Sequence, residues 1–86
     1  DNWLRIYPNP NQGIFTIQMD NVKWLMANGH TSTIEIYSML GVKVYSTSTI
    51  IHQPLTIDVS SQPNGIYQMR VITENGITNR KIVISK

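Results

Sequence analysis

The sequence predicts an all-β domain, and three observations lead to that prediction. Apolar and polar residues alternate with a period of two along most of the chain, which is the pattern of strands with one buried face. Residues that favour turns, mainly proline, asparagine and glycine, interrupt the alternation at short intervals. With 86 residues, of which 41% are hydrophobic and 14% charged, the chain is apolar enough to fold, and we expect a single domain over residues 1–86.

The alternation predicts seven strands, over residues 3–7, 14–19, 33–38, 42–46, 55–59, 66–73 and 77–85. In the second to fifth strands, one face of each should be buried and the other should meet water. The expected buried sets are Phe15, Ile17 and Met19 in the second strand, Ile34 and Ile36 in the third, Val42 and Val44 in the fourth, and Leu55, Ile57 and Val59 in the fifth.

Turn residues separate these strands. The prolines of Pro8-Asn9-Pro10 fix φ and stiffen the exit from the first strand, and Gly13 permits the turn into the second. Gly41 serves the turn between the third and fourth strands, and Pro63-Asn64-Gly65 serves the entry to the sixth. Short strands with turns at this spacing predict a seven-stranded antiparallel β-sandwich of immunoglobulin-like type, with a closed barrel as the alternative.

The alternation lapses over residues 20–32. Asp20 or Asn21 could cap a short helical turn that Asn28-Gly29 ends, and a broad loop is the alternative. In either case Trp24 is expected to cover an open end of the sandwich, with the stacking of a ligand as the other role open to it.

The last two strands are expected to form a hairpin, because Asn75-Gly76 is typical of a two-residue type I′ turn. That turn places Glu74 opposite Ile77. The pairs that follow are Met69 with Ile82 and Tyr67 with Ile84 on a buried face, and Arg70 with Lys81 and Gln68 with Val83 on the other face. The cations Arg70 and Lys81 either splay into solvent or form a small basic face for an acidic partner.

Residues that could carry chemistry are sparse. The chain has no cysteine, and its histidines, His30 and His52, stand alone, so the sequence predicts no metal site, no cofactor and no catalytic residues. Its carboxylates are scattered along the chain, which argues against an enzyme. The net charge of +2 includes no dense basic run, so no nucleic-acid partner is expected. Because the first residue is Asp1, we expect the sequence to be a piece of a longer chain.

Four blocks in order resemble a known family. They are YPNPNQGIFTI, IEIYSMLGVKVY, IDVSSQPNGIYQMRV and RKIVISK. Together they resemble the C-terminal sorting domain of cargo proteins of the type IX (Por) secretion system. The residues that match its structural motif are Tyr7, Pro8, Asn9, Pro10, Gly13, Gly41, Gly65 and Tyr67. The stretch between Met19 and Ser32 is longer than the common family spacing, and the tail Ile84-Ser85-Lys86 is less continuously apolar and basic.

The resemblance implies that the domain is a secretion signal attached to an N-terminal cargo domain of the same chain. Cargo of this kind crosses the periplasm, passes the outer-membrane machinery and reaches the cell surface or the medium. A sortase-like protease commonly removes the domain, and the cut would lie before Asp1.

Partner recognition is expected at the last hairpin, because the final strand is predicted to lack a covering segment and an uncovered edge can accept another strand. The cations proposed to contact the partner are Arg70, Arg80, Lys81 and Lys86. An uncovered edge also makes a dimer possible. Two other functions remain open: an accessory module that binds carbohydrate through Trp3, Trp24 or Tyr45, and a structural spacer.

Overall fold

A computed structural model describes residues 3–19, 31–49, 54–74 and 76–86. These residues form the strands β1 (Leu4–Tyr7), β2 (Ile14–Met19), β3 (Ser32–Tyr37), β4 (Lys43–Thr49), β5 (Leu55–Asp58), β6 (Gly65–Thr73) and β7 (Gly76–Ile84). The strands build two antiparallel sheets, with the orders β1-β2-β5 and β4-β3-β6-β7. The predicted seven-stranded antiparallel sandwich is therefore confirmed. In constant-type immunoglobulin domains the fourth strand joins the first sheet, whereas here β4 pairs with β3.

The core lies between the two sheets and consists of every other residue of the strands. Its buried apolar members are Leu4, Phe15, Ile17, Ile34, Ile36, Ile57, Val59, Tyr67, Met69, Val71, Ile82 and Ile84. The four residues predicted to be hidden in the last hairpin are each at most 5% exposed. Period-two alternation predicts burial well here because successive side chains of a strand point to opposite faces of its sheet.

The prediction for the fourth strand was wrong at Val42. Its side chain is 58% exposed and precedes β4. A bulge then interrupts the pairing, since Ile36 lies opposite Tyr45 but Tyr37 lies opposite Lys43. Val44 is the extra residue, and both Val44 and Tyr45 pack against the core. A bulge breaks simple alternation, because two residues on one strand oppose one on the other.

The hairpin of β6 and β7 forms with a register two residues away from the predicted one. Thr73 lies opposite Gly76, so residues 74 and 75 connect the strands. The observed pairs are Tyr67 with Ile82, Gln68 with Lys81, Met69 with Arg80, Arg70 with Asn79, Ile72 with Ile77, and Ile66 with Val83. This register sets apolar residues opposite each other on the outer face, and such cross-strand pairs stabilise a sheet. The predicted pairing of Arg70 with Lys81 is therefore wrong. Because the register differs by two residues, every residue of the hairpin still lies on its predicted face of the sheet.

Several predictions fall outside the described residues. These are the helical turn or loop over residues 20–30, the role of Trp24, the placement of His30 and His52, and the conformation of Asn75 in the last turn. Within the ranges described, no helix is long and apolar enough to cross a membrane.

Candidate functional site

The outer edge of β7 carries an unexpected cover, formed by the turn that follows β1. The side chain of Asn9 donates from Nδ2 to the Lys81 carbonyl (2.8 Å) and accepts at Oδ1 from the Val83 N–H (3.0 Å). The backbone of Asn11 then donates to the Val83 carbonyl (2.9 Å) and accepts from the Ser85 N–H (2.7 Å). Asn9 and Asn11, which we call the clasp, thus occupy the edge of β7 from residue 81 to residue 85.

The clasp corrects the prediction that the last strand has no covering segment. Alternation could not reveal the cover, because residues 9–11 lie outside the strands and meet β7 more than 70 residues later in the sequence. The sequence signal was the pair of asparagines themselves. The prediction used only their turn-forming character, although a side-chain amide has both a donor and an acceptor and can imitate a backbone peptide group.

The side chain of Asn11 holds the turn in the shape that the clasp needs. It is only 4% exposed, donates to the Pro8 carbonyl (3.1 Å) and accepts from the Gly13 N–H (2.8 Å). The peptide bonds before Pro8 and Pro10 are cis. The hydrogen bonds of Asn9 and Asn11 make residues 7–13 one compact turn that connects the first hairpin to the last strand.

Gly13 closes this turn against the segment that follows β5. Its φ is +101°, and a Cβ at this position would lie 2.5 Å from the Cα of Ser60. Its carbonyl accepts from the Val59 N–H (2.7 Å). Ser60 is fixed in turn by Asp58, whose carboxylate accepts from its hydroxyl (2.6 Å) and its N–H (2.9 Å). These bonds from Ser60, the hydroxyl bond first, lower the pKa of Asp58.

Among the residues that the structure describes, none bonds an outward N–H group along the rest of the β7 edge. Alternate residues of an antiparallel strand direct their backbone groups to opposite sides, and the clasp shows that the odd-numbered residues of β7 face outward. Some outward backbone groups lie before the clasp begins. They are the N–H and the carbonyl of Ile77, the N–H of Asn79 and the N–H of Lys81. The outward carbonyl of Asn79 accepts from the guanidinium of Arg80 (3.0 Å). Residues 77–81 thus form an open half edge beside a covered one.

The structure does not gather the predicted recognition cations into one cluster. Arg80 lies on the inner face of the sheet opposite Met69, while Lys81 lies on the outer face opposite Gln68. Arg70 is on the outer face too, one strand further in. Arg80 and Lys81 both border the open half edge.

Lys86 is tied to the opposite end of the sandwich. Its ammonium donates to the carbonyls of Ser60 (2.6 Å) and Gln62 (2.7 Å). Its backbone N–H donates to the side chain of Asn64 (3.0 Å). These contacts give Lys86 a structural role in joining the end of β7 to the loop between β5 and β6.

The remaining motif residues have structural partners. The Tyr67 hydroxyl donates to the Pro63 carbonyl (2.7 Å), which meets the expectation that a buried tyrosine places its hydroxyl on a partner. The Tyr7 hydroxyl donates to Gln18 (2.9 Å) across β1 and β2. Gly65 begins β6, and Gly41 lies in the turn before β4.

The outer face of the four-stranded sheet carries a small charged group. The Glu35 carboxylate accepts from the Tyr37 hydroxyl (2.8 Å) and from the Lys43 ammonium (3.5 Å). The bond from Tyr37 is the main reason that the pKa of Glu35 is lowered, and the same bond raises the pKa of Tyr37. Arg70 lies opposite Glu35 in the sheet, and its guanidinium lies 5.2 Å from the centre of the Tyr37 ring.

The described residues offer little support for a carbohydrate-binding module. Trp3 and Tyr45 are half-buried and pack against the core, so these two do not form an exposed aromatic platform. The described ranges hold no group of three or more histidine, aspartate or glutamate side chains placed to bind a metal ion.

The described residues thus form a small sandwich with a clasped strand edge and charged side chains beside it, which are features of a surface that other proteins can contact. A family model described as the secretion system C-terminal sorting domain matches residues 5–85. The chain belongs to this family. It is a sorting signal of the type IX secretion system, which directs an attached polypeptide toward the cell surface or the medium through contact with the secretion machinery. Among curated proteins, no sequence matches the chain significantly.

Proposed function

We propose that the secretion machinery recognises this domain by adding a strand to the open half edge of β7. The observation that carries the proposal is the contrast along one edge. The clasp satisfies the backbone groups from residue 81 onward, whereas none of the described residues bonds the outward N–H groups of Asn79 and Lys81. An exposed edge is a ready template for an extended segment of another protein.

The side chains beside the open half edge favour an acidic partner segment. Lys81 on the outer face and Arg80 on the inner face border both sides of an added strand, because successive side chains alternate between faces. Arg70 contributes positive charge one strand further in. Charge complementarity of this kind guides the encounter and selects the register of the added strand. Lys86 stabilises the fold in this proposal and does not contact the partner.

The route of the domain is proposed from its family. We propose that residues 1–86 act as one C-terminal unit behind a cargo domain, that the cargo passes through the periplasm and the outer membrane, and that a sortase-like protease then cuts before Asp1. When no machinery is present, we propose that two copies of the domain pair weakly at the open half edge, through backbone bonds that the repulsion between their cations opposes.

A proline at Asn79 tests the strand addition, since the outward N–H that it removes is not part of the pairing with β6. Edge strands tolerate proline where the N–H faces solvent. The full chain is fused behind a reporter in a bacterium with a type IX system, and the reporter is measured at the surface and in the periplasm. Removing one hydrogen bond of the added strand should lower recognition by about tenfold, so Asn79→Pro should leave the reporter in the periplasm.

Asn79→Ala is the matched control, because it removes the same side chain and keeps the N–H. It should be exported like the wild type. If Asn79→Pro lowers the melting temperature, Lys81→Glu serves as the second variant, since it keeps the backbone and reverses the charge beside the edge. Normal export of a folded Asn79→Pro protein, or of Lys81→Glu, would rule out recognition at this place.

A further inference from the structure

The turn between β3 and β4 presents apolar side chains to solvent. Met39 is 74% exposed, Leu40 is 90% exposed and Val42 is 58% exposed. We call Met39 and Leu40 the tip. Neither residue belongs to the core of the described residues or packs against it, so the fold gains little burial from either side chain.

The backbone of this turn is well organised without help from the tip. The Gly41 N–H donates to the Ser38 carbonyl (2.9 Å), and the Ser38 N–H donates to the Val42 carbonyl (2.9 Å). The Ser38 hydroxyl accepts from the N–H groups of Leu40 and Val42 (3.3 Å each). Gly41 supplies the positive φ of +82°. Positions such as those of the tip are usually filled by polar turn formers, so the turn itself does not require Met or Leu.

The surroundings of the tip are positively charged. A shallow depression of about 290 Å³ runs from Met39 past Ile66 to Lys81, and Ile66 is 45% exposed. Lys43 and Arg70 lie on the same face. The carboxylate of this group, Glu35, is already engaged by Tyr37 and Lys43. An apolar projection with a cationic surround is complementary to an apolar pocket with an acidic rim.

We propose that the tip inserts into such a pocket on a protein of the secretion machinery. Burying two side chains of this size strengthens binding by about 10²- to 10⁴-fold, which is enough for an anchor at the centre of a protein interface. It is less than a membrane anchor needs, since even a whole myristoyl chain gives only marginal binding to a bilayer. A second copy of the domain would present the same positive charge, which disfavours pairing through the tip.

The tip contact is separate from strand addition at β7. It uses side chains of the turn between β3 and β4, whereas the strand addition uses backbone groups of residues 77–81. Because Lys81 borders both places, the variants that separate the two proposals are Asn79→Pro and the double serine variant of the tip, which leave its charge unchanged.

The test is the double variant Met39→Ser/Leu40→Ser, with the full chain fused behind the same reporter. The variant should keep the melting temperature of the wild type, because the tip makes no core contact, and export should fall by about a hundredfold or more, the lower end of the expected loss of affinity. Two controls should be exported normally. Ile14→Ser makes the same kind of change at a residue that is 50% exposed elsewhere, and Met39→Leu/Leu40→Met keeps the tip apolar.

Three results would overturn the proposal. The first is wild-type export of the double serine variant. The second is binding of the unfused chain to anionic phosphatidylglycerol vesicles that the double variant loses, since the tip would then contact lipid. The third is a dimer in sedimentation that the double variant abolishes, since a second copy would then cover the tip. We expect neither vesicle binding nor tip-dependent dimers.

Discussion

Replacing Asn11 by alanine removes few atoms but should lower the stability of the fold strongly. Its side chain is 4% exposed and bonds the Pro8 carbonyl and the Gly13 N–H. Asn11→Ala removes both bonds and leaves the buried N–H of Gly13 without its acceptor. The substitution should therefore loosen the turn and, through it, the backbone bonds that the clasp makes to β7.

The size of the effect follows from these contacts. A lost hydrogen bond costs about 0.5–1.5 kcal/mol, and a buried donor left unsatisfied costs about 1–3 kcal/mol more. The free energy of unfolding should fall by about 2–4 kcal/mol. A domain of this length has a total stability of about 4–13 kcal/mol, so the loss is a large fraction of it. The melting temperature should fall by about 10–20 °C.

Urea denaturation followed by circular dichroism measures this loss, and Asn79→Ala is the matched control. Asn79 is an exposed asparagine of β7, and its replacement should change stability by less than about 0.5 kcal/mol. Hydrogen exchange gives a second readout, because the Ser85 N–H that bonds the backbone of Asn11 should exchange faster in Asn11→Ala. The reasoning is refuted if Asn11→Ala unfolds like Asn79→Ala and Ser85 keeps its protection.

Three further predictions concern other contacts of the fold. Gly13→Ala should destabilise the protein by at least about 2 kcal/mol, because its Cβ would lie 2.5 Å from the Cα of Ser60 and φ is +101°; urea denaturation measures this. Tyr67→Phe should cost about 1–2 kcal/mol in the same assay, since it removes the hydroxyl bond to a loop carbonyl. Glu35 has a pKa below its usual 4.5, chiefly through the bond from Tyr37. It therefore stabilises the fold above pH 4.5 and loses this contribution as the pH falls through its folded-state pKa, and Tyr37→Phe should make the acid loss shallower in thermal melts over that range.

Each of these predictions has a control. The control for Gly13→Ala is Gly41→Ala, because Gly41 also has a positive φ but nothing lies within 4 Å of its added Cβ. If the two substitutions lower the free energy of unfolding equally, the close approach to Ser60 has no effect. A Tyr67→Phe protein as stable as the wild type would mean that its hydroxyl bond contributes nothing. For the acid range, the control is Tyr7→Phe, which removes a hydroxyl bond to an uncharged side chain. If the melting temperature falls with decreasing pH equally steeply in Tyr7→Phe and Tyr37→Phe, Glu35 is excluded as the cause of the change in Tyr37→Phe.

The pattern of residues predicted the core better than the pairing. Tyr67 and Ile82 are buried as expected because burial depends only on whether a residue is odd or even within its strand. The register of the last hairpin depends instead on which residues form the turn, and Thr73 rather than Glu74 proved to be the last paired residue of β6. A two-residue error preserves the faces and changes only the partners. At Val42 the bulge in β4 broke the alternation, and the exposure was mispredicted.

The candidate site was only partly visible in the sequence. The motif at residues 7–13 was recognised, but its meaning as a clasp depends on where residues 81–85 lie in space, which no local pattern records. The cations were identified as charged residues near the last strand, yet the face that each occupies follows from the pairing of β6 and β7. The tip falls in the predicted turn between the third and fourth strands, but its exposure was not predicted, because apolar character alone does not show whether a residue is exposed.

The parallel bridge between Asn11 and β7 has a mechanical consequence. If the segments before β1 and after β7 are pulled in opposite directions, the tension runs along the two paired backbones. The bonds from Asn11 to Val83 and Ser85 then bear the force in shear and must break together, whereas the bonds at the open end of a hairpin would peel one at a time. A pull on both ends would therefore be resisted at this bridge.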